Sequence, residues 1–238
     1  AACEALGVPA ISGNVSLYNE SAGRPVYPTP IIGCLGLFDD AERHCSIAFK
    51  SKGDIIVSLG AEALSGDPST LAASEFLSLL HGRVAGMPKI DLDLEARVQK
   101  ACRDAIAGRL LRSAHDCSDG GLSVTVAESA IAGGIGADIT VEVPPRWDAA
   151  LFGEQQSRVV VTLASEDLQR LEQVARAADV PFMRLGTVGG SHINFDGMRI
   201  DNYAGAGDSP GYLFNVMTVE ETALETGGAT AESRSPNV

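Results

Sequence analysis

A short polar stretch, Gly13-Asn14-Val15-Ser16, contains the residue types needed to hold a phosphorylated ligand and a metal ion. Glycine lets a phosphate or a ribose approach the backbone, because it has no Cβ. The amide oxygen of Asn14 suits Mg²⁺, which prefers oxygen ligands, and the Ser16 hydroxyl can form a hydrogen bond. Because Gly-Asn is also an ordinary turn dipeptide, the spacing alone leaves a ligand site and a plain turn both open.

A second polar stretch, residues 115–119, has the sequence His-Asp-Cys-Ser-Asp and precedes two glycines. His, Cys and Asp together could form a nucleophilic or metal site. We favour a structural interpretation, in which Asp119 or Ser118 caps a helix N-terminus and the glycines allow close packing. Binding of an anion at that helix start remains an alternative.

The other polar candidates are interpreted as structural or solvated. The run Glu154-Gln155-Gln156 stands at the entry to a predicted strand, where we favour a structural role. Isolated acidic and histidine side chains elsewhere indicate capping residues or surface positions. These are Glu62, Asp67, Glu75, His44, His81 and His192.

Charge and composition exclude several classes of partner. The formal net charge of −13 opposes non-specific attraction to nucleic acid or to anionic membranes. A phosphate ligand stays possible, because a bound cation inverts the local sign of the field. No apolar run is long enough to span a membrane, the N-terminus has no signal-peptide pattern, and the five cysteines form no CxxC pair. We therefore expect a cytoplasmic protein with reduced cysteines.

The elements around the first polar stretch are predicted to be short strands and turns. Residues 10–12 read as a short strand, residues 21–24 as a turn, and residues 26–38 as extended, proline-interrupted edge or barrel strands. Near residue 50 the composition turns polar, and residues 55–60 then read as a buried strand. We place a domain boundary between residues 50 and 51.

Beyond that boundary, helical and strand patterns are interleaved. Such mixed order predicts an α/β fold, with α+β mixed layers, over residues 51–200. Gly133-Gly134 is a helix C-cap signal. Residues 201–238 form a divergent tail, whose last dozen residues are predicted to be disordered. The predicted helices are 71–80, 92–111, 122–132 and 166–178, and the further predicted strands are 136–143, 158–163 and 182–186.

Two sequence blocks carry a specific resemblance. Residues 6–37 include GNVSLYNE followed by YPTPIIG, and residues 114–137 read AHDCSDGGLSVTVAESAIAGGIGA. Together with residues 152–158, they resemble the synthetase subunit of formylglycinamidine ribonucleotide synthase (phosphoribosylformylglycinamidine synthase). The resemblance extends over about residues 1–190 and places the chain in the PurM-like superfamily of aminoimidazole ribonucleotide synthetase.

The resemblance implies a partial chain with part of one ligand site. Two modules stand in tandem in that family, and this chain resembles the C-terminal part of the second N-terminal ATP-handling domain plus a complete second C-terminal domain. By resemblance, Gly13 contributes to ATP binding, Asn14 is a Mg²⁺ ligand and Ser16 contacts formylglycinamide ribonucleotide. The family's catalytic residues belong to the first module, so no catalytic residue is expected here.

The resemblance also implies an activity and partners. The family uses ATP, Mg²⁺ and glutamine-derived ammonia to convert formylglycinamide ribonucleotide to formylglycinamidine ribonucleotide in purine biosynthesis. The expected partners are the missing N-terminal module, a glutaminase subunit or domain, and a small accessory subunit. Two rival functions stay open: a nucleotide-binding module without turnover, and another ATP-dependent enzyme of the same superfamily.

Overall fold

The structure, a computed structural model, describes residues 1–16, 18–26, 29–38, 40–195 and 198–200. Its strands are β1 Glu20–Ser21, β2 Arg24–Pro25, β3 Ile55–Leu59, β4 Ser113–Asp116, β5 Ala137–Ile139, β6 Val159–Leu163, β7 Phe182–Val188, β8 Ile193–Phe195 and β9 Met198–Ile200. Its helices are α1 Ala2–Ala5, α2 Glu75–His81, α3 Leu92–Ala107, α4 Gly121–Gly133, α5 Trp147–Phe152 and α6 Leu168–Ala177. Two short 3-10 helices lie at Pro68–Leu71 and Ser165–Asp167.

Seven of the strands form one mixed sheet, in the order β4-β6-β3-β7-β5-β8-β9. Strand β3 lies between β6 and β7 and pairs antiparallel with both. Strands β5 and β8 pair in parallel. The predicted α/β fold with mixed layers is thus confirmed.

The two faces of the sheet carry separate apolar cores. Because successive side chains of a strand point to opposite faces, Ile56 of β3 joins one core, whereas Val57 and its alternate neighbours join the other. Helices α4 and α5 cover the first face, and α3 and α6 cover the second. Because both faces of β3 are buried, four of its five residues are apolar and polar residues do not alternate with apolar ones.

Local capping residues mark the start or the end of three helical segments. Asp91 caps α3, with its Oδ1 accepting hydrogen bonds from the N–H groups of Asp93 and Leu94, both at 3.0 Å. Gly134 ends α4 in the left-handed conformation, with a φ of +63°, which confirms the predicted C-cap. Asp67, predicted to be solvated or capping, accepts the Ser69 N–H at 2.8 Å.

The predicted strands near the N-terminus are wrong for the described residues. Residues 10–12 and 29–38 are irregular, and this part of the described chain contains only the hairpin of β1 and β2. The turn predicted at residues 21–24 is confirmed, with positive φ angles at Ala22 and Gly23. A strand needs a paired neighbour, and residues 29–38 have none among the described strands.

The same N-terminal stretch exposes large apolar side chains. Ile11 is 83% exposed, Ile31 95% and Leu35 90%. The chain joins the sheet domain before residue 50. Ser46 forms a bridge with Ser113 of β4, and Phe49 is buried in the core under α4 and donates its N–H to Ser129 O at 3.0 Å. The predicted tail, residues 201–238, lies outside the described residues.

Candidate functional site

The three residues predicted to bind ligands lie in the irregular stretch between α1 and the β1–β2 hairpin. Gly13, Asn14 and Ser16 are all exposed. The Asn19 side-chain amide donates to the Ser16 backbone oxygen at 3.2 Å, which tightens the loop after Ser16. The Asn14 amide forms no hydrogen bond with the described part of the chain and is free to face a ligand. Its oxygen alone cannot complete a Mg²⁺ shell, which normally includes carboxylates or phosphates.

A separate cleft lies in the sheet domain, at the loop of residues 153–157. Its volume is about 360 Å³, at the small end of the range for ligand sites. Hydroxyl, amide and carboxylate groups line it, together with one lysine. The lining includes Ser65, Ser69, Thr70, Lys89, Asp91, Glu154, Gln155, Gln156 and Ser157.

Glu154 ties this loop to two helices. Its Oε1 accepts the N–H of Gly120 at 2.8 Å and the N–H of Glu75 at 2.8 Å. Its own N–H donates to Thr70 O at 2.9 Å. Burial raises the pKa of the Glu154 carboxyl most, the two N–H donors lower it, and the nearby carboxylates of Asp119 and Glu75 raise it further. The structural role predicted for Glu154 is consistent with these contacts.

The predicted cap of α4 is wrong. Gly120 is the N-cap residue of α4, and neither Ser118 nor Asp119 caps the helix with its side chain. Ser118 Oγ instead donates to Asp116. The acceptor for the Gly120 N–H comes from Glu154, which lies 34 positions away in the sequence. The predicted close packing at the glycines is present, since a Cβ on Gly121 would lie 2.6 Å from Gly153 O.

Arg158 holds the other end of the loop. Its guanidinium is buried, and it donates to Gly153 O at 2.6 Å and to Gln155 O at 3.3 Å. Burial lowers the pKa of Arg158. No carboxylate forms an ion pair with Arg158 in the described part of the chain, so loop carbonyls take the place of a counter-ion.

The His115 side chain, on β4, contacts two carboxylates, one on β4 and one on α4. Its Nε2 lies 2.8 Å from Glu128 Oε2, and its Nδ1 lies 3.5 Å from Asp116 Oδ1. Asp116 raises the pKa of His115 most, burial lowers it, and Glu128 raises it again; by distance, the Glu128 contact is the firmer hydrogen bond. Burial raises the pKa of the Cys117 thiol, so the nucleophilic interpretation of residues 115–119 finds no support.

We expect His115 to make stability depend on pH. A histidine whose pKa is higher in the folded state than in the unfolded state stabilises the fold. This contribution is complete below the unfolded-state pKa of about 6.5, and it is lost as the pH rises through the folded-state pKa. The free energy of unfolding should therefore fall between about pH 6 and 8. Urea denaturation at each pH should show a flatter profile for His115→Gln.

The exposed His44 provides the control for this experiment. In the described part of the chain, its ring forms one hydrogen bond, between Nδ1 and the Ala41 carbonyl oxygen at 2.7 Å, and no ion pair. The variant His44→Gln should keep the slope of the wild-type profile. An unchanged slope in His115→Gln would show that the ion pairs at His115 do not couple to folding.

Two kinds of feature are absent from the described residues. None of the helices there has both the length and the apolar character needed to cross a membrane. Among the same residues, no three His, Cys, Asp or Glu side chains are grouped so that they could hold a metal ion.

Most residues that line the cleft could not be predicted from the sequence. Lys89 and Thr70 meet residues 154–157 only in the folded chain, so no local spacing marks them. The contact between His115 and Glu128 joins a strand to a helix and is equally invisible in the sequence. Of the lining residues, the sequence singled out Asp67 and the run Glu154-Gln155-Gln156, and it predicted capping, solvated or structural roles for them.

Comparison with known proteins identifies relatives of the whole matched region. The chain is 45% identical over 207 residues to phosphoribosylformylglycinamidine synthase subunit PurL of Anaeromyxobacter sp., covering 82% of this chain and 26% of that protein. It is 44% identical over 193 residues to the same subunit of Alkaliphilus metalliredigens, covering 81% and 26%. The chain thus spans about a quarter of the length of the curated relatives it matches.

Solved structures agree in fold. Thermotoga maritima PurL complexed with FGAR matches with a TM-score of 0.55 and 17% identity, over 73% of this chain and 32% of that chain. The same protein complexed with ADP matches with a TM-score of 0.50 and 15% identity, over 78% and 34%. At such identities the likeness concerns the fold alone.

A family match covers the sheet domain. Residues 51–196 match the family described as AIR synthase related protein, C-terminal domain. The named relatives confirm the resemblance to phosphoribosylformylglycinamidine synthase that the two sequence blocks carried. Since the family match covers more than half of the 238 residues, the chain belongs to the family of AIR synthase related proteins, through their C-terminal domain.

Proposed function

We propose that this chain is part of an ATP-dependent ligase that converts formylglycinamide ribonucleotide, glutamine-derived ammonia and ATP to formylglycinamidine ribonucleotide, ADP and phosphate. The observation that carries the proposal is the identity of 44–45% to proteins named as subunit PurL, over about four fifths of the chain. In this proposal, residues 1–50 form the C-terminal part of an ATP-handling domain. Residues 51–200 form the second C-terminal domain of the ligase. The enzyme acts in the cytoplasm.

Three residues have proposed roles. Gly13 leaves room for ATP, since a Cβ built there would meet nothing within 4 Å. Asn14 supplies one oxygen to Mg²⁺, whose remaining ligands come from ATP phosphates and from acidic residues outside this chain. Ser16 donates a hydrogen bond to formylglycinamide ribonucleotide. When bound, the metal neutralises charge on the phosphates during phosphoryl transfer.

The chemistry explains why ATP is needed. An amide oxygen is a poor leaving group, and phosphorylation converts it to one that departs as phosphate when ammonia attacks the amide carbon. The residues of this chain bind and orient the reactants, whereas the reacting groups lie in the missing N-terminal module. A glutaminase subunit and a small accessory subunit complete the proposed assembly.

The proposal is tested by supplying the missing module in trans. Mixed with that module, the chain should turn over ATP and formylglycinamide ribonucleotide when ammonia is present, and neither part should do so alone. A nucleotide-binding module without turnover is the rival that the same assay detects. Tight ATP binding by the chain with no turnover in the mixture would favour that rival.

Ser16→Ala should separate substrate binding from ATP binding. Loss of one hydrogen bond is expected to raise the KM for formylglycinamide ribonucleotide about 3- to 10-fold. The KM for ATP should stay unchanged, because the hydroxyl contacts only the other substrate. Steady-state kinetics of the mixture would measure both constants, and an equal rise in the two would contradict the role given to Ser16.

A further inference from the structure

The N-terminus of α4 points at a carboxylate supplied by the chain itself. Helix α4 has 13 residues, and the free N–H groups and dipole at such a helix start attract anions. Here Glu154 Oε1 accepts the Gly120 N–H at 2.8 Å, and the same atom accepts the Glu75 N–H at 2.8 Å. Gly120 is the N-cap residue of α4, so the Glu154 side chain occupies the position of an anion bound to the N-cap N–H.

The backbone before Glu154 also covers the helix start. A Cβ built on Gly121 would lie 2.6 Å from Gly153 O and 2.9 Å from the Phe152 carbonyl carbon. A phosphate group is larger than a methyl group and would have to displace this backbone. Packing thus closes the helix start on the side of Gly121, whereas on the side of Gly120 the closing group is the Glu154 side chain.

Charge around the helix start acts in the same direction. The carboxylates of Asp119 and Glu75 lie close enough to Glu154 to influence its ionisation. The nearby cation Arg158 is committed to the loop carbonyls of Gly153 and Gln155. An approaching phosphate would meet like charges without a free guanidinium to pair with.

We propose that Glu154 is a built-in occupant of the anion position at the N-terminus of α4, and that it excludes phosphate groups from this end of the sheet domain. The inference goes beyond the proposed function and does not depend on it. It decides between the two interpretations of residues 115–121 that the sequence left open, against the bound anion. The phosphates of a nucleotide then have to be held elsewhere, outside the start of α4.

Phosphate titration of the full chain tests this inference. Inorganic phosphate is compared with chloride at matched ionic strength, by thermal unfolding and by calorimetry. Wild type should show no phosphate-specific rise in Tm. Glu154→Ala removes the occupant and should lower the Tm in chloride, bind phosphate at least about 10-fold more tightly than wild type and recover part of the lost Tm.

Two control variants separate occupancy from charge. Glu154→Gln keeps an oxygen that can accept both N–H groups, so it should still exclude phosphate. Asp119→Asn removes a neighbouring charge but leaves the position filled, so it should behave as wild type. Phosphate binding by Asp119→Asn as tight as that of Glu154→Ala would overturn the inference, because repulsion alone would then explain the exclusion.

A measurement on wild type covers the case in which Glu154→Ala does not fold. The backbone amide signals of Gly120 and Glu75 can be followed by NMR during the phosphate titration. They should not move beyond the change seen in chloride. A saturable shift of the Gly120 amide with phosphate would overturn the inference, whatever the outcome of the proposed turnover assay.

Discussion

Asn14→Ala is expected to lower Mg²⁺-ATP-dependent turnover of the reconstituted enzyme by at least about 10-fold. Groups that only orient a metal ligand already contribute about 10- to 100-fold to affinity or activity, and Asn14 is proposed as a direct ligand. The side chain is exposed and makes no hydrogen bond within the described residues, so its loss should not affect folding. Steady-state kinetics at several Mg²⁺ concentrations would measure the effect.

The Mg²⁺ dependence distinguishes a metal ligand from a loop residue. In Asn14→Ala, the Mg²⁺ concentration at half-maximal rate should rise, and high Mg²⁺ should restore part of the rate. Asn19→Ala is the matched control, because the Asn19 side chain donates to the Ser16 carbonyl oxygen, at 3.2 Å, and has no proposed contact with the metal. Equal losses in both variants, insensitive to Mg²⁺, would remove Asn14 from the proposed site.

Gly60→Ala is expected to destabilise the sheet domain by about 3 kcal/mol, through backbone strain and overpacking together. Gly60 has a φ of +96°, and a Cβ there would collide with the carbonyl oxygen of Ser157. Its N–H also donates to Pro181 O at 2.7 Å, so the backbone cannot turn away without loss. Urea denaturation followed by circular dichroism would measure the free energy of unfolding.

Gly134→Ala serves as the comparison for Gly60→Ala. Gly134 also has a positive φ, of +63°, but a Cβ there would meet nothing within 4 Å. Only the cost of the left-handed conformation applies, about 1 kcal/mol. If the two variants lose the same stability, the collision with Ser157 contributes nothing and the packing between β3 and the cleft loop is looser than described.

Local pattern predicted much of the sheet domain because strands β3 and β6 are mostly apolar runs and helices such as α3 repeat apolar residues at helical spacing. Strand β3 is buried at every position and is bounded by polar or glycine residues. Helix α3 begins at Leu92, as the spacing predicts, and Asp91 caps it. It ends at Ala107 rather than at residue 111, because Arg109 takes a positive φ of +55° that no helix accommodates.

Contacts between distant segments could not be predicted in this way. Strand β4 contains His115 and Asp116 and reads as a loop, but it pairs with β6 at the sheet edge. The acceptor for α4 comes from Glu154 and not from the adjacent Ser118 or Asp119, which local capping rules favour. The proposed ligand residues, in contrast, were found through a specific sequence block, and their roles stay predictions.

Phe49 determines how the sheet domain can be excised from its neighbours. Its ring lies in the core under α4, and a Cβ on Gly133 of that helix would lie 2.9 Å from the Phe49 nitrogen. The family match begins two residues later, at residue 51. A fragment that begins at residue 51 would lack the Phe49 ring and would have a cavity in the core under α4. The shortest fragment that folds stably must therefore begin before Phe49, upstream of the start of the family match.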